Sequence, residues 1–180
     1  HVSSRRQRQM CIRDRLSVDY GSDLTKLRNM VLDRLNSQGY DLSLPEFIST
    51  IEPLEKLFAI VDHSRALAFM FGDGIVPSNV KAGYLARMVL RRTVLLSKDI
   101  NVPNILPKMV QLHIDNFSDT YPELKQNESH ILDMVNLEIE RFTQTLERGR
   151  RAVKRAIDSG GIDKEKLLDL YDSQGLPPSL

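Results

Sequence analysis

Residues 128–159 read ESHILDMVNLEIERFTQTLERGRRAVKRAIDS, and this stretch decides the fold. Ile131, Met134, Val135, Ile139, Phe142 and Leu146 recur at spacings of three and four, the period of one face of a helix rather than of a strand. The pattern predicts one long helix with those residues as its buried face, stopped by Gly160-Gly161. A helix with a single apolar face must lay it against other elements, and here the candidates are helices too.

Working upstream, Pro103 and Pro107 bound or begin a helix carrying Ile105, Met109, Leu112 and Phe117, and Tyr121-Pro122 breaks it. A helix is expected from about Val80 to Ser97, with Tyr84, Leu85, Met88, Val89 and Leu95 on its apolar side and Lys81, Arg87, Arg91 and Arg92 on its polar side. Before it lies the loop Gly72–Asn79. Pro53 sits where the first turn of a helix tolerates it, and Leu54, Leu57, Phe58, Val61, Ala68 and Phe71 extend an apolar stripe from there to Gly72-Asp73-Gly74. A polar break separates that stripe from Leu24, Leu27, Val31, Leu32 and Leu35, a helix that Ser22 or Asp23 can cap and Gly39 can close. Downstream, a short helix over about Lys164–Tyr171 leads into Asp172-Ser173-Gln174-Gly175. No stretch alternates with period two and no repeat appears. The expected class is all-α, a helical bundle with one long helix in its C-terminal half and no substantial sheet. Residues 16–98 are expected as a first helical subdomain and 99–180 as a second.

The first fifteen residues, HVSSRRQRQMCIRDR, carry five Arg and no helical period. They read as a non-native or disordered leader, with a basic nucleic-acid-binding arm as the alternative. Hydrophobic residues make up 41% of the chain, enough for a core. No apolar run reaches the roughly 18 residues that a membrane-spanning helix needs. Cys11 has no partner for an internal disulfide, which fits a reducing, cytoplasmic setting. One Cys and four scattered His offer no metal-ligand spacing, so no metal site is expected in this chain.

Net charge is only +1, but it is zoned. Residues 81–98 hold five bases and no acid, 99–140 eight acids and two bases, and 141–155 six bases and one acid. Such alternation can hold a polyanion on one side and repel it on the other. The loop–helix unit Asp73–Tyr84 concentrates the chemistry. Gly72 and Gly74 allow unusual backbone angles, Pro77 stiffens the approach, and Ser78 or Asn79 can cap the next helix. Free N–H groups at such a helix start suit a phosphate. Arg87 and Arg91, four apart, are surface neighbours. Read from these residues alone, a solvated basic face and a nucleic-acid contact both remain open. No acid–base pair, activated nucleophile or complete ATP cradle is present, so no catalytic residue is expected.

Four separated motifs carry a resemblance. They are Asp62-His63-Ser64-Arg65-Ala66-Leu67-Ala68-Phe69-Met70; then Gly72–Asn79 with Gly83-Tyr84, Arg87, Arg91 and Arg92; Thr145-Leu146-Glu147-Arg148-Gly149; and Leu170-Tyr171-Asp172-Ser173 with Gly175-Leu176-Pro177. In this order, over about Leu16–Leu180, the chain resembles the alanyl-tRNA synthetase family, nearest its archaeal branch. The resemblance covers the helical tRNA-recognition region that follows the class II catalytic core. It implies a fragment of an alanine–tRNA ligase, inactive alone, with ATP, Mg2+ and an editing-domain Zn2+ expected only in the full-length parent. The implied partners are the tRNA(Ala) acceptor stem and the parent's own catalytic and editing domains.

The resemblance also implies that Asn79 and Asp172 read a G·U wobble pair, while Lys81, Arg87, Arg91 and Arg92 hold phosphates. The chemistry suits those residue types. The RNA minor groove is wide and shallow, so side chains reach base edges there. A wobble pair leaves the guanine 2-amino group free; a carboxylate accepts from it, and an amide both donates and accepts. Arg148, Arg150, Arg151, Lys154 and Arg155 either add to the phosphate contacts or are only solvated, since no motif fixes their role, and His63 and Arg65 are expected to brace the helix or to pack near the catalytic domain. The competing reading is a helical protein-interaction module with no RNA binding and an exposed apolar patch.

Overall fold

The computed structural model describes residues 24–158, and six helices account for its ordered elements. They are α1 (Leu24–Ser37), α2 (Leu44–Gly72), α3 (Lys81–Asp99), α4 (Ile105–Phe117), α5 (Pro122–Gln126) and α6 (Glu128–Asp158). No strand forms among the described residues, so the all-α class holds. The chain divides into two compact units inside α2, between Glu55 and Lys56. The leader, Gly160-Gly161, the helix expected at 164–171 and Asp172 lie outside the described residues.

In the first unit, α1 ends as its Gly anticipates. Gly39 takes φ +94°, its N–H bonds Asn36 O at 3.1 Å, and the Tyr40 N–H reaches back to Leu35 O at 3.2 Å. That paired closure satisfies carbonyls the last turn would otherwise leave open. α2 starts nine residues before the expected Pro53, at Leu44. Ser43 explains the shift: its backbone N–H donates to the Glu46 carboxylate at 3.0 Å and its hydroxyl donates to the same oxygen at 2.6 Å. A Ser with Glu three residues on is a capping box, one arm of which forms here. Pro53 therefore lies inside the helix, where it removes one backbone donor. Phe47 and Leu32 are buried, and Arg28 pairs with Glu55.

The second unit carries the main core. α6 contributes Ile131, Met134, Val135, Phe142 and Leu146, and it packs against α3 and α4. Five of the six residues expected on its apolar face are buried and Ile139 is partly so. Two neighbouring faces differ from expectation. On α3 the buried residues are Gly83, Ala86, Leu90, Thr93, Val94 and Ser97, while Tyr84, Leu85 and Met88 face solvent. On α4 they are Leu106, Val110, His113 and Ile114, while Leu112 is exposed. The buried face of α3 thus mixes Leu90 and Val94 with small residues, and its large apolar residues Tyr84, Leu85 and Met88 lie off that face. On α2, Ala68 and Phe71 are buried as expected, but Leu54, Leu57, Val61 and, at 71% accessibility, Phe58 are exposed.

Two histidines tie α2 to its neighbours. The Thr93 hydroxyl donates to Val89 O at 2.7 Å, so His63 Nδ1–H, 3.1 Å from Thr93 Oγ1, is the donor in that pair. The Ser64 hydroxyl likewise donates to Val61 O, and His113 Nε2 lies 3.1 Å from Ser64 Oγ and 3.2 Å from Val61 O. His63 thus braces α2 against α3, as expected.

Candidate nucleic-acid interface

The α2–α3 loop is folded back onto the helix it precedes. Gly74 takes φ +80° and closes α2, with its N–H on Phe71 O and the Ile75 N–H on Met70 O. Pro77 and Ser78 then run against the first turn of α3: the Ser78 N–H donates to Gly83 O at 3.0 Å. A Cβ placed on Gly83 would lie 2.2 Å from Ser78 Oγ and 2.4 Å from Val76 O, so only glycine permits this approach. Neither Ser78 nor Asn79 caps α3. Val80 occupies the cap position in an extended conformation without a side-chain cap bond, and Ser78 Oγ instead donates to Val80 O at 3.1 Å. Lys81, the first helical residue, is held at φ +50°, a conformation that non-glycine residues adopt at a cost.

Asn79 is exposed but not free to turn. The Arg87 guanidinium donates through Nη1 to Asn79 Oδ1 and through Nη2 to Pro77 O at 3.2 Å. Arginine has no acceptor, so the atom it holds must be the amide oxygen, and the Asn79 NH2 is left as a donor pointing elsewhere. Arg87 Nε lies 3.2 Å from Glu138 Oε1, an ion-pair distance without hydrogen-bond geometry. Arg91 bonds the same oxygen from Nε at 2.9 Å and lies 2.8 Å from it through Nη2. Its guanidinium carbon also stands 5.1 Å from the centre of the Phe142 ring. Glu138 is only 2% exposed, and its Oε2 has no hydrogen-bond partner among the described residues.

Two guanidiniums meet one carboxylate, so the cluster keeps one net positive charge (2 − 1) beside Asn79. Arg87 and Arg91 are largely covered, at 19% and 27% side-chain accessibility, and both turn a nitrogen toward the buried Glu138. Lys81 and Arg92 are exposed. Eleven residues apart, they fall on one stripe of α3, with exposed Tyr84, Leu85 and Met88 between them. Arg92 also faces His63, where burial first and the Arg92 charge second push the imidazole below its usual pKa. Arg148, Arg150, Arg151, Lys154 and Arg155 are exposed on α6. No group of three His, Cys, Asp or Glu among the described residues could hold a metal. No helix among them is long and apolar enough to cross a membrane.

Asn79, Lys81, Arg87, Arg91 and Arg92 thus lie on one loop–helix unit, where Arg87 joins Asn79 to Glu138 and Arg91 shares that carboxylate. Glu138 belongs to no motif, but its register in the sequence marks it. It stands four residues after Met134 and four before Phe142, an acid in register with the buried stripe of α6.

Over residues 25–180 the chain matches the family described as tRNA synthetases class II (A). It is similar to the alanine–tRNA ligases of Methanobrevibacter smithii (38% identity over 169 residues, 91% of this chain) and Methanococcus maripaludis (39% over 166 residues, 92%). It is also similar to that of Methanopyrus kandleri (42% over 167 residues, 92%). The chain spans about 18% of the length of each of these relatives. With most of its length matched, and the matched span containing the whole loop–helix unit, the chain belongs to the class II (A) tRNA synthetase family.

Proposed function

We propose that this chain is the part of an alanine–tRNA ligase that recognises the acceptor stem of tRNA(Ala), the parent enzyme joining alanine to that tRNA at the expense of ATP. The observation that carries the reading is the fixed Asn79 amide: its oxygen is occupied by Arg87, and its NH2 is offered to a base edge beside a net positive cluster. A donor held in one orientation discriminates between base pairs better than one that turns freely, since a misplaced acceptor then leaves it unpaired. Lys81 and Arg92, exposed on one stripe, hold phosphates, and Tyr84 between them offers a ring face to sugar or base. Arg87 and Arg91 supply charge and order more than direct phosphate bonds. Asp172 takes the second side of the wobble pair, accepting from the guanine 2-amino group.

The test is binding of an acceptor-stem hairpin bearing G·U against one bearing G–C at the same position, at matched salt. Preference for G·U is expected, and Asn79→Ala and Asp172→Ala each reduce that preference by about 1–3 kcal/mol, by analogy with a lost base contact in DNA. Lys81→Ala and Arg92→Ala weaken both hairpins alike and flatten the salt dependence. Equal binding of the two hairpins by the unaltered chain defeats the reading. Exposed Leu57, Phe58 and Val61 favour a protein contact as well, and a chain that bound neither hairpin would leave that contact as its function.

A further inference from the structure

We infer that Glu138 is a positioning residue for Asn79, acting through Arg87; its consequence for base-pair discrimination rests on the function proposed above. Glu138 lies on α6, 59 positions from Asn79 (138 − 79), and touches no surface an RNA could reach, being 2% exposed. Its single engaged oxygen draws in Arg87 and Arg91 together. Arg87 can hold Asn79 Oδ1 and Pro77 O at once only while its guanidinium stays in place, and Glu138 keeps it there by holding its charge at ion-pair distance. Arg91 secures the same carboxylate oxygen through two nitrogens, with its own guanidinium beside Phe142. The chain of contacts Phe142–Arg91–Glu138–Arg87–Asn79 thus runs from the core of α6 to an exposed amide.

A buried acid between two arginines has a bland role too, since removing one partner of a buried ion pair destabilises the fold. The two roles separate in the Asn79 side chain. A purely structural Glu138 leaves the Asn79 amide as mobile or as ordered as before in any variant that stays folded. A positioning Glu138 does not. In a 15N-labelled sample of the chain, the Asn79 NH2 pair is expected to be rigid, and in Glu138→Gln its order parameter falls below about 0.6 while core amides keep theirs. Arg87→Lys, which retains charge but cannot span Glu138 and Asn79 together, produces the same loss. It also serves as the test if Glu138→Gln fails to fold.

The second measurement is the ratio of G·U to G–C hairpin binding. Glu138→Gln lowers it about tenfold in the native background and leaves it unchanged when Asn79 is already Ala. A folded Glu138→Gln or Arg87→Lys chain with an Asn79 amide as rigid as the native one overturns the inference, as does an equal fall in the ratio with and without Asn79. If the native chain shows no preference between hairpins, the proposed function fails, while the amide measurement still decides whether Glu138 positions Asn79.

Discussion

Gly83 shows how narrowly the loop–helix unit is specified at the scale of one residue. Its φ is not in the left-handed region, so the requirement is for space: a methyl group there would overlap Val76 O and Ser78 Oγ. Gly83→Ala is expected to destabilise the chain by about 1–3 kcal/mol, the usual cost of overpacking, measured by urea unfolding. The contrasting variant is Gly74→Ala, where nothing lies within 4 Å but φ is +80°, and where the cost is about 1–2 kcal/mol of backbone strain. The two variants part in what they disturb, because only Gly83→Ala pushes the Ser78–Asn79 backbone away from α3. Asn79, Arg87 and Arg91 were legible as a group because loop, helix and charge all pointed to one segment of sequence. What was not legible was their direction. Spacing places Arg87 and Arg91 on a polar face, and a partner 47 or more positions away on α6 then turns them inward. Local pattern carries no information on a contact of that range.

At the scale of elements, the long helix α6 was readable because its buried face is built from large apolar residues with one acid among them. The faces of α3 and α4 were not, for a related reason. Ranking residues by apolar size selects Tyr84, Leu85 and Met88, whereas the buried face of α3 also includes small residues, Ala86 and Ser97, and Gly83, which the folded-back loop covers. The start of α2 was missed in another way: Pro53 reads as a first-turn residue, but Ser43 and Glu46 form a start signal ten residues earlier. That signal yields a prediction. Ser43→Ala removes the hydroxyl that Glu46 accepts from, and the same serine holds the Glu46 carboxyl below its usual pKa. Ser43→Ala should loosen the start of α2, with amide exchange accelerating over 44–50 and unchanged over 131–146. Equal acceleration in both stretches would show that the cap does not act locally.

At the scale of the whole molecule, stability should depend on pH through the two histidines that bridge helices. Burial is the first cause that lowers the pKa of each; the Arg92 charge adds to it at His63, where Asp62 opposes. At His113 the Val61 carbonyl opposes the shift and the Arg65 charge adds to it. A group whose folded pKa is depressed binds its proton more readily in the unfolded chain, so unfolding is favoured as pH falls. The stability is therefore complete above the unfolded value of about 6.5 and is lost as the pH drops through the lower folded values. The carboxylates with depressed pKa, Glu46, Asp115 and Glu128, act in the same direction but below the carboxylate range, about pH 4. Between about pH 7 and pH 5 the decline in Tm should thus belong to His63 and His113. Replacing both by Asn should lower Tm at pH 7, because the bonds to Thr93, Ser64 and Val61 are lost, and should flatten the profile in that interval. A double variant that kept the native slope would assign the pH dependence to other groups and leave the helix-bridging histidines as plain hydrogen-bond donors.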